Sequence, residues 1–253
     1  MKYDIISAPS YALVEMSLNE GESVIVEPGS MSWMDTTIKP KTEMKGGLFA
    51  GLKRRMGGES FFLNTYTAEG GSGKIGIAPG YSGDIIVKEL NNETIYMERG
   101  AYLCHVGNIE TSASWEGFMG TFAEGMLGLR VSGTGLLFFG SYGDVQEVDV
   151  QGSYTVDNGY AVAWESSLDY SIGRSGRRIR SFLFGDQLIC NYHGNGKLWI
   201  QTRSPRNLAA WVHPFRRVQQ NNEKGLVLRE IFRSWHFSFQ AFSLPDIFSN
   251  SAT

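Results

Sequence analysis

Apolar residues recur along most of this chain in short alternating runs closed by glycine or polar pairs, seldom at the three- and four-residue spacing of a helix. Ser23-Val24-Ile25-Val26, Thr94-Ile95-Tyr96-Met97 and Tyr154-Thr155-Val156 are three such runs. Each enters a turn that holds a carboxylate and a glycine: Glu27-Pro28-Gly29-Ser30, Glu98-Arg99-Gly100 and Asp157-Asn158-Gly159. Extended alternation resumes at Met31 to Ile38, Ala101 to Val106 and Tyr160 to Trp164, so the pattern predicts three hairpins. A second β run then leads into Gly-x-Gly three times: at Gly71-Ser72-Gly73, Gly133-Thr134-Gly135 and Gly194-Asn195-Gly196. The leading glycines stand 62 and 61 residues apart. Each Gly-x-Gly is predicted to be a tight turn between strands, a place that needs positive φ.

Two markers in constant order and at constant period make an internal repeat. The expected fold class is all-β, an assembly of three similar units over about residues 22–90, 93–150 and 153–204, each burying an apolar face against its neighbours. The opening, Tyr3 to Met16, reads as two strands around Pro9-Ser10. Helix is expected only near the end, where Ser204-Pro205 makes a cap and first helical residue and Leu208, Trp211 and Val212 follow, giving a short closing helix over about 204–213. The β domain then spans 1–217. Residues 218–253 read as a polar linker followed by an amphipathic helical tail, with Leu228, Ile231, Phe232, Trp235, Phe239 and Phe242 on one face.

Composition narrows the chemistry. The chain of 253 residues is 42% hydrophobic, enough core for one large β domain or two small ones. A net charge of −3 supplies no global basic field, so any anion site must be local. Cys104 and Cys190 fall in apolar runs and read as buried thiols rather than a disulfide framework. With no signal-peptide pattern and no apolar run of membrane-spanning length, the expected location is cytoplasmic.

Gly57-Gly58-Glu59-Ser60-Phe61-Phe62-Leu63-Asn64, with its basic glycine-rich lead-in, and Gly196-Lys197-Leu198-Trp199-Ile200-Gln201-Thr202-Arg203 fall in matching order within the repeat framework. Together they resemble the altered-inheritance-of-mitochondria family numbered twenty-four, over about residues 1 to 217. The resemblance implies a fold like that of the tryptophan RNA-binding attenuation protein: three shortened jelly-roll units in one chain, arranged with pseudo-threefold symmetry. It also implies a link to mitochondrial organisation, and it carries over no catalytic residue.

The residues themselves favour binding over catalysis. His105, His193, His213 and His236 are scattered without a His-x-His pair, so no metal site and no cofactor is expected. The Gly-x-Gly copies lack the Gly-Lys-Ser/Thr and the following helix of a nucleotide loop. Basic residues do cluster, at Lys53, Arg54 and Arg55, at Arg174, Arg177, Arg178 and Arg180, and at Arg203 with Arg206. The first seven are the candidate partner-binding residues. If they occupy equivalent insertions they flank one face, suited to acidic lipid headgroups, an acidic protein or RNA; solvated loops explain the same residues. Aromatic interleaving is thin for nucleic acid, with none beside Arg177-Arg178 before Phe182. Leu48, Phe49, Leu52 and Met56 beside Lys53 give a membrane-surface reading, against a loop packed on the next repeat. The expected function is thus a non-enzymatic binding or scaffolding module that forms homo-oligomers and shows a basic loop face to an anionic partner. The alternative is a metal-dependent or small-molecule enzyme with a pocket at the repeat junction, using Glu59 and Asp186.

Overall fold

Alternation in the first strands becomes alternation of burial: Val14, Met16 and Leu18 turn inward, with Leu13, Glu15 and Ser17 between them on the outer face. The computed structural model describes residues 1–42, 63–114, 128–174 and 188–216. Among these residues lie fourteen strands: β1 (Lys2–Ile6), β2 (Leu13–Leu18), β3 (Ser23–Val26), β4 (Met31–Met34), β5 (Ile38–Thr42), β6 (Asn64–Ala68), β7 (Gly73–Ile77), β8 (Ile85–Glu98), β9 (Tyr102–Ser114), β10 (Gly128–Gly140), β11 (Val145–Asp157), β12 (Ala161–Glu165), β13 (Leu168–Arg174) and β14 (Leu188–Gln201). One short helix follows, α1 (Pro205–Val212). The fold is all-β with a short terminal helix, as the pattern predicts.

Ladders between the named strands are antiparallel and form two sheets. The smaller runs β1-β2-β7-β4; the larger runs β11-β14-β12-β8-β10-β9-β3-β6-β5, with β13 also on β14. One local design occurs three times. β4 pairs with β7, β9 with β10 and β12 with β14, and each ladder skips one residue at the same place: between Met31 and Trp33, between Tyr102 and Cys104, and between Ala161 and Ala163. By these ladders three like segments run from β2 to β7, from β8 to β10 and from β11 to β14, each starting earlier than the expected 22, 93 and 153.

Two local expectations are corrected. The carboxylate-glycine turns are not hairpins. β3 and β4 lie in different sheets, β3 pairing with β6 and β9 while β4 pairs with β7, so the turn is a corner across the core. Backbone bonds from Ser30 to Glu27 (3.2 Å) and from Tyr160 to Asp157 (2.9 Å) close these corners. Nor is Gly-x-Gly always a turn. The first copy does link β6 to β7, but the second and third lie inside the continuous strands β10 and β14. There the glycines are bends. Gly133 and Gly135 take φ of 139° and 153°, and a Cβ on either would overlap a carbonyl oxygen of β9, so only glycine lets the two strands stay paired.

Three apolar clusters follow the three repeats, and the first two each borrow from the next. Ile85, Leu103, Cys104 and Phe138 of the second repeat fill the core built around Val14, Met16 and Ile75. Val162, Ala163 and Trp199 of the third fill the core around Ile95, Met97 and Leu137. The last cluster gathers Trp164, Leu168, Cys190, Tyr192 and Leu198. The second half of β10 therefore runs between two cores, with Phe138 on one side and Leu137 and Phe139 on the other, all fully buried.

The chain divides into two units, Met1–Ala209 and Ala210–Thr253. Of the second, the description covers the end of α1 and a 3-10 turn, His213–Phe215, with the Trp211 and Phe215 rings 5.7 Å apart. The amphipathic tail expected beyond residue 218 lies outside the described residues. No helix among the described residues is long and apolar enough to cross a membrane.

Because Phe138 belongs to the second repeat but fills the core of the first, Phe138→Ala is expected to lower unfolding free energy by about 3–5 kcal/mol. Urea denaturation followed by circular dichroism measures it.

Candidate functional site

Each repeat carries one insertion, and register pairing fixes where. The last described pairs are Thr42 opposite Asn64 on β5 and β6, Ser114 opposite Gly128 on β9 and β10, and Arg174 opposite Leu188 on β13 and β14. All three insertions join the open ends of equivalent antiparallel ribbons. Arg174 closes β13 at the foot of the third. Lys53, Arg54 and Arg55, Arg177, Arg178 and Arg180, and the carboxylates Glu59 and Asp186 lie outside the described residues.

The insertions differ in charge. Residues 43–62 hold Lys45, Lys53, Arg54 and Arg55 against Glu43 and Glu59, and residues 175–187 hold three arginines against Asp186. Residues 115–127 hold Glu116 and Glu124 and no cation. On the strands, by contrast, four lysines are matched with carboxylates. Lys74 meets Glu15 at 2.6 Å, Lys41 meets Glu69 at 2.9 Å, and Lys88 meets Glu165 at 3.2 Å and Glu93 at 3.6 Å; Lys197 is bound to Glu147. Such exposed pairs add little stability. They do neutralise the strand surface locally.

The buried chemical groups are held quiet. Burial pushes the Cys104 thiol well above its ordinary value and Cys190 up to about 11, with Asp157 adding to the second shift. Neither is a thiolate at neutral pH, which removes the reactive form. His105 Nδ1 lies 2.7 Å from the Tyr102 hydroxyl, itself pushed up by burial. Among the described residues no group of three or more His, Cys, Asp or Glu side chains converges as a metal site would require.

At the junctions between repeats, corners that sequence reading missed are tied together by backbone hydrogen bonds. Asp84 N–H donates to the Gly143 carbonyl at 3.1 Å, and Gly143 N–H to Ser82 at 3.0 Å. A Cβ on Gly83 would overlap the Ser141 carbonyl oxygen. One corner further on, Thr202 N–H donates to the Asp144 carbonyl at 2.9 Å, while Ala12 N–H reaches Gly83 at 2.9 Å on the other side. Asp84 and Asp144 play one role, each Oδ1 accepting from the next residue's N–H at 2.8 Å. The repeated Gly83-Asp84-Ile85 and Gly143-Asp144-Val145 were the available signal. Beside this seam the Tyr81 hydroxyl donates to the Gly100 carbonyl at 2.6 Å, and desolvation raises its pKa strongly, helped by Glu98 and Glu27.

Glu98 is half-buried at the second corner. Desolvation raises its carboxyl pKa, and the Arg206 charge offsets part of the rise. The stability carried by such a group is full below its unfolded value of about 4.3 and is lost as pH rises through the folded value. Glu98→Gln is therefore expected to raise the melting temperature at pH 7, with the gain vanishing below about pH 4. Thermal melts of both proteins across that range check it.

Comparison with known proteins agrees with this framework. A protein of Streptococcus pyogenes serotype M6 is 28% identical over 232 residues, which is 87% of this chain and 93% of that one. The crystal structure of a Streptococcus pyogenes protein superposes with a TM-score of 0.73 at 26% identity, covering 85% of this chain and 99% of that one. Residues 3–203 match the family described as mitochondrial biogenesis AIM24. That span takes in all three repeats and their corners, and the chain belongs to the mitochondrial biogenesis AIM24 family.

Proposed function

We propose that this protein is a non-enzymatic binding and scaffolding module that associates with copies of itself in the cytoplasm and offers its basic insertions to an anionic partner. One observation carries the reading: the segments bearing Lys53, Arg54 and Arg55 and Arg177, Arg178 and Arg180 depart from equivalent ribbon ends. Chemistry elsewhere points the same way, since the strand residues Lys41, Lys74, Lys88 and Lys197 are ion-paired and the buried thiols are held protonated. The acidic insertion of the second repeat restricts the cationic surface to the first and third. The partner's shared chemistry is a phosphate or carboxylate array, whether of acidic lipid, RNA or an acidic protein.

The test is a double variant, Arg177→Glu with Arg178→Glu, alongside the native protein. Both are titrated with phosphatidylserine vesicles, with single-stranded RNA and with polyglutamate at several salt concentrations. Native protein is expected to bind one of the three, more weakly as salt rises, and the variant to bind it at least tenfold more weakly with an unchanged circular dichroism spectrum. Native protein that binds none of the three, or a variant that binds as well as native, overturns the reading.

A further inference from the structure

Successive repeats meet through a junction that the chain builds twice. At the first, β3 pairs with β9, Ile25 opposite His105 and Val26 opposite Cys104. At the second, β8 pairs with β12, Tyr96 opposite Trp164 and Met97 opposite Ala163. The register is the same. Val26 and Met97 each precede the corner carboxylate, and Cys104 and Ala163 each follow the skipped residue of the bulge. What the later repeat brings is also the same: Cys104 with Phe138 enters the first core, and Ala163 with Trp199 enters the second.

A third junction of this kind needs the end of β11 as one half and β4 as the other. Each is present, but β4 is paired with β7 and β11 with β14, and no ladder joins the two. Exposure marks both halves as open. Trp33 occupies the place of the buried Cys104 and Ala163, yet it is 37% exposed. Ser32 is exposed where Leu103 and Val162 are buried. At the other end Tyr154 is 38% exposed, although its counterparts Val24 and Ile95 are fully buried. The end strands thus carry large apolar side chains in water at the positions that the inner repeats bury.

We infer that β4 of one copy pairs with the end of β11 of a second copy, Thr155 opposite Met34 and Val156 opposite Trp33, repeating the internal junction between chains. This rests on the self-association proposed above and specifies its surface. Trp33 lies over Gly76, the residue equivalent to Phe138 and Trp199, so one indole replaces the side chain that the later repeat contributes elsewhere. That indole is the group delivered to the third core of the neighbour. The contact joins unlike surfaces, so it propagates from copy to copy and closes into a ring or runs on as a filament according to its rotation.

Two variants, each blocking one end, test it by analytical ultracentrifugation. Native protein is expected to sediment as an oligomer, and Trp33→Glu and Tyr154→Glu each as monomers with native circular dichroism spectra. Trp33→Glu keeps an intact β11 and Tyr154→Glu an intact β4, so their equimolar mixture is expected to form a one-to-one dimer and nothing larger. Should Trp33→Glu fail to fold, Ser32→Glu replaces it. An oligomeric native protein whose variants stay oligomeric, or whose mixed variants stay monomeric, overturns the assigned surface and leaves self-association standing. A native protein that is monomeric up to high micromolar concentration overturns both. It would leave the two faces to another occupant, such as residues 217–253.

Discussion

Backbone pairing between the strand that enters one repeat's corner and the strand that leaves the next repeat's corner is the constraint on which the molecule depends. It joins Val26 to Cys104 and Met97 to Ala163, and in doing so aims the later repeat's side chains into the earlier repeat's core. No inner repeat buries its apolar face alone. Because strand alternation is strictly two-residue, sliding either junction by one residue would turn Cys104 or Ala163 away from the core and bring His105 or Trp164 to the place each had filled. The shared bulge fixes that register, and the glycine bends of β10 and β14 let one strand serve two cores.

Volume is roughly conserved across the three copies of the bulged ladder while its composition changes. The cross-strand pairs are Trp33 with Gly76, Cys104 with Phe138 and Ala163 with Trp199. A large side chain always faces a small one, but it sits on the first strand in one repeat and on the second in the other two. Close-packed interiors tolerate such exchanges when the total is kept, since neither a void nor a clash results. Repeats of one backbone can therefore diverge in sequence without diverging in shape.

Much of this was legible in the chain. The alternating runs around Val24, Ile95 and Val156, the period of about sixty residues and the Ser204-Pro205 helix start are local signals, and the strands and α1 follow them. The corners were misread because Pro28-Gly29 and Asn158-Gly159 satisfy the same turn chemistry in a hairpin as in a corner whose two strands pair with other partners. What separates the two is the partner of each flanking strand, a long-range fact. Gly133 and Gly135 were misread for a related reason: positive φ is needed at a bend inside a ladder as much as at a turn. Of the candidate cations, Arg174 is placed at a strand end, where its pairing with Leu188 gives the insertion its foot. The Asp84 and Asp144 corners escaped notice because Gly83 and Gly143 answer to distant neighbours, the Ser141 carbonyl and the Thr202 hydroxyl, which no spacing rule encodes.

The ribbon ends that carry the insertions have a consequence for how this scaffold accepts change. Thr42 with Asn64 and Ser114 with Gly128 are held by ladders that are complete before the departing segments begin. A segment closed on such a base adds only a slowly growing entropic penalty with its length. The scaffold can therefore exchange one such segment for a longer, shorter or oppositely charged one without rebuilding the sheets beneath, a modular site for natural divergence and for grafting alike.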